Sequence, residues 1–521
     1  MALRAFVLCG WLVGTPTHAQ VLHNVSFLGG SGFDHARDVA VDAQGFIYIV
    51  GGTENPYWPT THTISTAGTP EAAAVLQMDI FVAKLDPTAT TVVWSTRVGG
   101  PNYERAYAVE VDSAGFVYVA GRAGAGAPIT ASSFQPTFQG GFGSAFYGNQ
   151  DGYVFKLQPD GSALVWASYF GTADTLSSTI IRDIAVDAAG NVYLAASVAA
   201  GWAYPPAVSA AFLNSPLGSD DNVLAKVSSA GNALLWARYV GGSNLEEGVP
   251  SVRLNSKGDV VLLTTSRSSD APTSPTAYQR TLAGQVDFYV ALFSPTGTPG
   301  ASTFLGGSSD ELLETHQLAI GRDDSITIAA GSLSSDYPTT PGAYDRSHNG
   351  NGGPQSGGNT NYSGDVVVST LSADLTTLLA STFVGGQGGE SAEGVALDSH
   401  GNVLLTGGTF SSDFPVSAQA QQSSRQGQID SFFVALSADL QHLVYASFLG
   451  GMGNEVGRSA CVDAKDNFFL VGESGGTGAD TLPVMNAFQS SYGGATDALF
   501  ARFGPVSDAV APGAPTNLQA Q

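Results

Sequence analysis

Short apolar runs recur along the chain, each bracketed by Asp, Gly or a polar turn. Asp38-Val39-Ala40-Val41-Asp42, a turn closing at Gly45, and Phe46-Ile47-Tyr48-Ile49-Val50 predict a tight β-hairpin, strands a and b. Related runs are Val109 to Gly115, Ile184 to Gly190, Val395 to Gly401, and Cys461-Val462-Asp463. Strand c follows an Asp with a hydrophobic residue six positions on: Asp79…Leu85, Asp151…Leu157, Asp221…Val227, Asp287…Phe293, Asp365…Leu371, Asp430…Leu436 and Asp497…Phe503. A short polar turn then leads to strand d, as in Val92-Val93-Trp94-Ser95-Thr96.

Strand d ends in a glycine pair: Gly29-Gly30, Gly99-Gly100, Gly241-Gly242, Gly306-Gly307, Gly385-Gly386 and Gly450-Gly451, with Gly171-Thr172 as a worn copy. The second positions lie 65 to 79 residues apart. Seven copies of a four-stranded antiparallel unit predict an all-β, seven-bladed β-propeller. The chain starts with a lone strand d, Val21 to Leu28, and its last full strand is a strand c, Ala498 to Phe503. The first strand should therefore complete the last blade and close the ring, covering an open sheet edge.

The lines Val186-Asp187-Ala188-Ala189-Gly190-Asn191-Val192-Tyr193, Ser334-Ser335-Asp336-Tyr337-Pro338, Ser411-Ser412-Asp413-Phe414-Pro415 and Asp79-Ile80-Phe81-Val82-Ala83-Lys84-Leu85 resemble the bacterial seven-bladed β-propeller family of SBBP repeats. The resemblance runs over about residues 21 to 505 and implies an exported or surface protein. It brings no catalytic residues with it. The third repeat departs most, lacking the second glycine and the acid after it.

Composition changes the picture in two ways. A net charge of −24 disfavours nucleic acid and anionic membrane surfaces, because phosphate binding needs clustered Lys and Arg. The N-terminus reads as a secretory signal peptide over residues 1–19: Arg4, the apolar run Ala5 to Val13, and Thr17-His18-Ala19 before Gln20. Cleavage would leave Cys461 as the one cysteine, so packing and not a disulfide must hold the fold. That thiol is read as a buried, inert strand residue. The propeller is assigned to 20–505. Residues 506–521 read as a disordered tail or linker resembling the start of a fibronectin type III domain.

Candidate chemistry gathers on one face, where the d–a and b–c connections lie. The b–c connections run to about 20–35 residues, well past ordinary loop length, and such loops are a usual place for binding residues. Tyr57, Trp58, Phe142, Trp202 and Tyr204 within them are the ligand-binding candidates. Four residues past the second glycine stands an acid in six repeats: Asp34, Glu104, Glu246, Glu311, Glu390 and Glu455. These carboxylates either accept backbone N–H bonds in their own turns or form a metal ring at the channel mouth, with Ca²⁺ the favoured ion. Gly29 to Asp34 also matches the core of a calcium-binding nonapeptide, but the spacing is wrong for that repeat.

No other cofactor is indicated and no catalytic residue is assigned. Gly472-Glu473-Ser474-Gly475-Gly476 fits a nucleophile elbow but ends a strand with no helix after it, and is read as a chance match. His35 and His316 fall near the acidic positions, His62 and His348 in b–c loops. The expectation is a secreted or cell-surface, monomeric, non-catalytic scaffold that binds an extracellular glycan or protein through its long-loop face. The alternative is a polysaccharide lyase or hydrolase that uses channel-mouth carboxylates and a histidine.

Overall fold

The computed structural model describes residues 20–505 apart from 56–57, 69, 71–76, 145, 173–177, 200–203, 219, 247, 315, 351–361 and 363. The expected signal peptide and the 506–521 tail lie outside the described residues.

Seven antiparallel sheets form, each a four-strand meander. The first blade shows the pattern: Asp34–Val41 (a), Ile47–Thr53 (b), Asp79–Leu85 (c) and Val92–Gly99 (d). Innermost strands then begin at Glu104, Ile180, Ser251, Glu311, Glu390 and Asn454. In the fifth blade strand a is broken into Glu311–Leu312 and Leu318–Ile320. Long b–c connections add two short strands, His62–Ser65 beside strand d of the first blade and Gly141–Ser144 beside strand c of the second. No helix among the described residues is long and apolar enough to cross a membrane.

The ring closes as its phasing predicts. Gln20–Leu28 lies antiparallel to Thr496–Pro505, with Leu28 opposite Ala498 and Gln20 opposite Pro505. Val25 and Phe27 thereby enter the core between the sixth and seventh blades.

The core is not central. It is divided into wedges, one at each junction of neighbouring blades. This follows from sheets whose strands carry apolar residues on both faces, so each sheet must be covered twice. At the outer side, Trp94, Trp166 and Trp236 donate Nε1–H to carbonyls in the next blade's c–d turn: Pro159, Ser229 and Pro295, at 3.2, 3.0 and 3.0 Å. At the inner side, each strand a touches the strands a of both neighbouring blades, all the way round.

Candidate functional site at the channel mouth

The six repeated acids do not gather at the channel mouth. Each is buried at its own blade junction. Its carboxylate accepts the N–H of the second glycine: Gly30 to Asp34 (2.6 Å), Gly100 to Glu104 (2.9 Å), Gly242 to Glu246 (3.1 Å), Gly307 to Glu311 (3.3 Å), Gly386 to Glu390 (3.0 Å) and Gly451 to Glu455 (2.8 Å). Hydroxyls at the end of strand b add bonds, as from Thr409 to Glu390 (2.8 Å) and Ser474 to Glu455 (2.7 Å). Ser474, the serine of the elbow-like motif, thus serves a turn.

The strand-c aspartate of the preceding blade lies against the same spot. A methyl group on Gly99 would fall 1.8 Å from Asp79 Oδ1, so only glycine lets strand d pass. Burial, with this second carboxyl beside it, raises Glu246, Glu390 and Glu455 to about 7 and Glu311 to about 8. Among the described residues no group of three or more His, Cys, Asp or Glu could hold a metal ion. These bonds favour the turn-holding reading of the six acids over the cation ring.

Two of the five aromatic candidates are buried and so do not present a binding surface. Trp58 is 3% exposed, stacked 4.4 Å from Phe81, with its Nε1–H on Ser95 Oγ. Tyr204 is 4% exposed, packed between Phe170 and Phe212. Both b–c loops fold back over their blades, where an aromatic ring gains more from core contact than from water. Tyr57 and Trp202 lie outside the described residues. Phe142 lies in the short strand Gly141–Ser144, and its side chain is outside the description.

What does converge is a set of bulged residues. In five blades strand a carries one extra residue, which has no cross-strand partner. The residues are Arg37, Tyr107, Arg182, Glu393 and Arg458. A bulge bends the strand and re-aims the side chain it inserts. In four of these blades a strand-b glycine lies opposite: Gly51, Gly121, Gly407 and Gly472. A methyl group there would lie 1.9–2.0 Å from a strand-a carbonyl oxygen. The bulged residues sit near the start of strand a, so they share the face of the long loops.

One side of this mouth is basic. The guanidinium carbons of Arg37, Arg105, Arg122 and Arg182 lie 5.9, 4.6, 5.9 and 5.0 Å from the centre of the Tyr107 ring. Arg105 donates to the Tyr107 hydroxyl. Burial alone would push this phenol up. Arg105, Arg122, Arg182 and Arg37 outweigh it and hold Tyr107 down at about 6. Burial, with Arg37 and Arg105 close by, keeps His35 neutral by pushing its imidazole well below the usual value.

The other side is acidic. Arg458 bridges Glu393 and Glu473 at 2.6 Å each, and Tyr362 donates its hydroxyl to Glu393. Glu314, from the break in the fifth blade's inner strand, acts electrostatically on Arg182, Glu393 and Arg458.

One residue deeper the channel is plugged. His316 of the fifth blade donates Nε2–H to the Tyr107 carbonyl of the second at 2.8 Å. Its Nδ1 lies 3.6 Å from both Asp38 and Asp183, on the first and third blades. Asp38 accepts from Ser459 and the Val109 N–H, Asp183 from Arg253 and the Val252 N–H. His316 therefore closes the channel beneath the bulged residues. Elsewhere, Cys461 is free and half-buried, its thiol raised well above the usual range by burial. A cleft of about 750 Å³ lies on the opposite face, lined by Asp323, Asp398, His400, Asp463 and Asp466 among others.

Residues 165–197 match the family model described as the SBBP beta-propeller repeat. The chain is a seven-bladed propeller, and one stretch of it matches this repeat. No curated protein matches it. Among solved structures, a protein of unknown function from Dyadobacter fermentans is similar at 12% identity and TM-score 0.42, over 94% of this chain and all of that one. An ulvan lyase gives 9% and 0.43 over 87% and 93%. The quinohemoprotein alcohol dehydrogenase of Comamonas testosteroni gives 11% and 0.40 over 92% and 76%. At such values none of the three bears on what this propeller does.

The bulged residues escaped the motif reading because they carry no fixed residue type. A signal was present. Three positions after five of the six repeated acids stand Arg37, Tyr107, Glu314, Glu393 and Arg458; Val249 holds the place after Glu246, and Arg182 holds it after Thr179. Glycine inside a strand pattern, as at Gly51 or Gly407, marks a bulge or a close backbone approach.

Proposed function

We propose that this propeller is an exported, non-catalytic binding scaffold whose ligand enters the channel mouth on the long-loop face. The convergence of five bulged side chains from five blades at one end of the channel carries this reading. A fold that only needed blade packing would have no use for five departures from regular pairing, and bulges of this kind re-aim side chains at sites. The partner is an extracellular glycan or protein, and the protein acts as a monomer. Screening the full chain on an array of extracellular glycans tests the reading. Binding that is lost in both Tyr107→Phe and Arg458→Gln supports it. A blank array, or binding that neither change disturbs, overturns it.

A second reading is favoured by one observation, the lowered Tyr107 phenol hydrogen-bonded to Arg105. A phenolate among guanidinium groups suits proton abstraction next to a neutralised carboxylate, as a polysaccharide lyase requires. The repeated carboxylates and His316 are committed to junctions and channel closure, so they do not serve that chemistry. Appearance of unsaturated uronate ends on incubation with polyuronates, lost in Tyr107→Phe, would favour the lyase over the scaffold.

A further inference from the structure

We propose that the basic half of the channel mouth binds the carboxylate of a hexuronic acid residue in an extracellular polysaccharide, an inference that rests on the reading of that mouth as the binding site.

The chain has 20 basic residues against 44 acidic ones, yet places Arg37, Arg105, Arg122 and Arg182 around a single ring. No ion pair joins any of the four to a described carboxylate; Glu473 acts electrostatically on Arg37, and Glu314 on Arg182. The Nε atoms of all four are buried without a hydrogen-bond partner. One phenol, Tyr107, stands against four guanidinium groups, so their charge is only partly answered, and a planar carboxylate matches their paired donors.

The opposite wall narrows the ligand further. Glu314, Glu393 and Glu473 make this wall acidic, so it repels a second anion and tolerates neutral hydroxyls. A hexuronate carries one carboxylate and several hydroxyls, so it presents both kinds of group to the two walls. A polyphosphate chain presents anions on all sides and meets a protein of net charge −24. Aromatic rings stand beside the arginines. Tyr103 and Tyr147 stand 4.7 Å apart with Arg122 over both, and neighbouring Phe146 is 60% exposed. Apolar walls with a few placed polar groups are the usual make-up of a small-ligand site.

Calorimetric titration of the full chain tests this. The probes are tetramers of galacturonate, glucuronate, mannuronate and guluronate, the methyl esters of each, and cellotetraose. At least one free acid should bind, at least tenfold tighter than its ester, with affinity falling as salt rises. Arg122→Gln and Arg182→Gln should each weaken it at least tenfold while retaining the parental melting temperature. Arg322→Gln on the opposite face should leave it unchanged. Equal affinity for acid and ester, or no loss in either mouth variant, overturns the proposal. If none of the uronates binds while array binding to another glycan still depends on Tyr107 and Arg458, the hexuronate inference fails and the binding-site reading stands. If both are blank, both fail.

Discussion

The imidazole of His316 donates to the backbone carbonyl of Tyr107 across the channel, at 2.8 Å, joining the fifth blade to the second. The same ring faces Asp38 and Asp183 from two more blades. His316→Ala removes the bond and leaves a buried carbonyl without its donor, at a cost of about 1–3 kcal/mol. Chemical denaturation should show a lower midpoint for the variant with the same secondary structure content.

Tyr107 should ionise apart from other buried tyrosines. Burial raises Tyr153, Tyr169, Tyr289 and Tyr337 above their ordinary value, whereas the arginine cluster brings Tyr107 to about 6. An ultraviolet difference titration should show one phenolate forming near pH 6, absent in Tyr107→Phe. Because its folded value lies below its unfolded 10.0, the folded chain releases this proton first, and Tyr107 adds stability as pH rises from about 6 to 10.

The junction carboxyls act in the opposite sense. Glu390 stands at about 7 in the fold against 4.5 unfolded, mainly through burial. The folded chain keeps a proton that the unfolded chain gives up, so this contribution is full below pH 4.5 and fades as pH rises to about 7. Glu390→Gln, an uncharged replacement, should match the parent at pH 5 and exceed it by roughly 1–3 kcal/mol at pH 8. Melting curves at the two pH values decide it.

The bulges depend on strand-b glycines. A methyl group at Gly407 would lie 1.9 Å from the Ser391 carbonyl oxygen. Gly407→Ala should cost roughly 2–3 kcal/mol through overpacking, read as a lower melting temperature. It should also weaken ligand binding, because Glu393 is re-aimed with the strand.

Closure can be tested from one side chain. Phe27 is buried between the sixth and seventh blades on the strand that completes the ring. Phe27→Asp should release that strand and bare the edge of Thr496–Pro505. Light scattering should then detect concentration-dependent oligomers that the parent does not form.

The blades were legible because their signals are local and repeated. Asp-bounded apolar runs, the glycine pair and the unmatched first strand are all periodic, and ring closure follows from counting them. The acids were legible as positions, and their burial at junctions agrees with the turn-holding reading. The channel mouth was not legible. A bulge adds a single residue and reverses which face the side chain meets, leaving composition untouched, so Arg37 reads as an ordinary strand residue. The aromatic loops misled for a physical reason as well. Trp58 and Tyr204 stand in polar surroundings along the chain but bury themselves against Phe81 and Phe170. Sequence distance from a core says little about spatial distance from it.

Leu28 lies opposite Ala498, so the two strands meet only after Ala498 has been made. Until then the opening strand has no partner and the last sheet is incomplete. Closing so long a loop is entropically slow. Assembly is therefore set by timing: six blades can form in order as they emerge, while the seventh waits for the latest-made strand to reach the earliest. A chain stalled before residue 496 would hold most of its core yet expose a free strand at one end and an open sheet at the other. For this protein the making of Thr496–Pro505 is also the step that lets the blades become a ring.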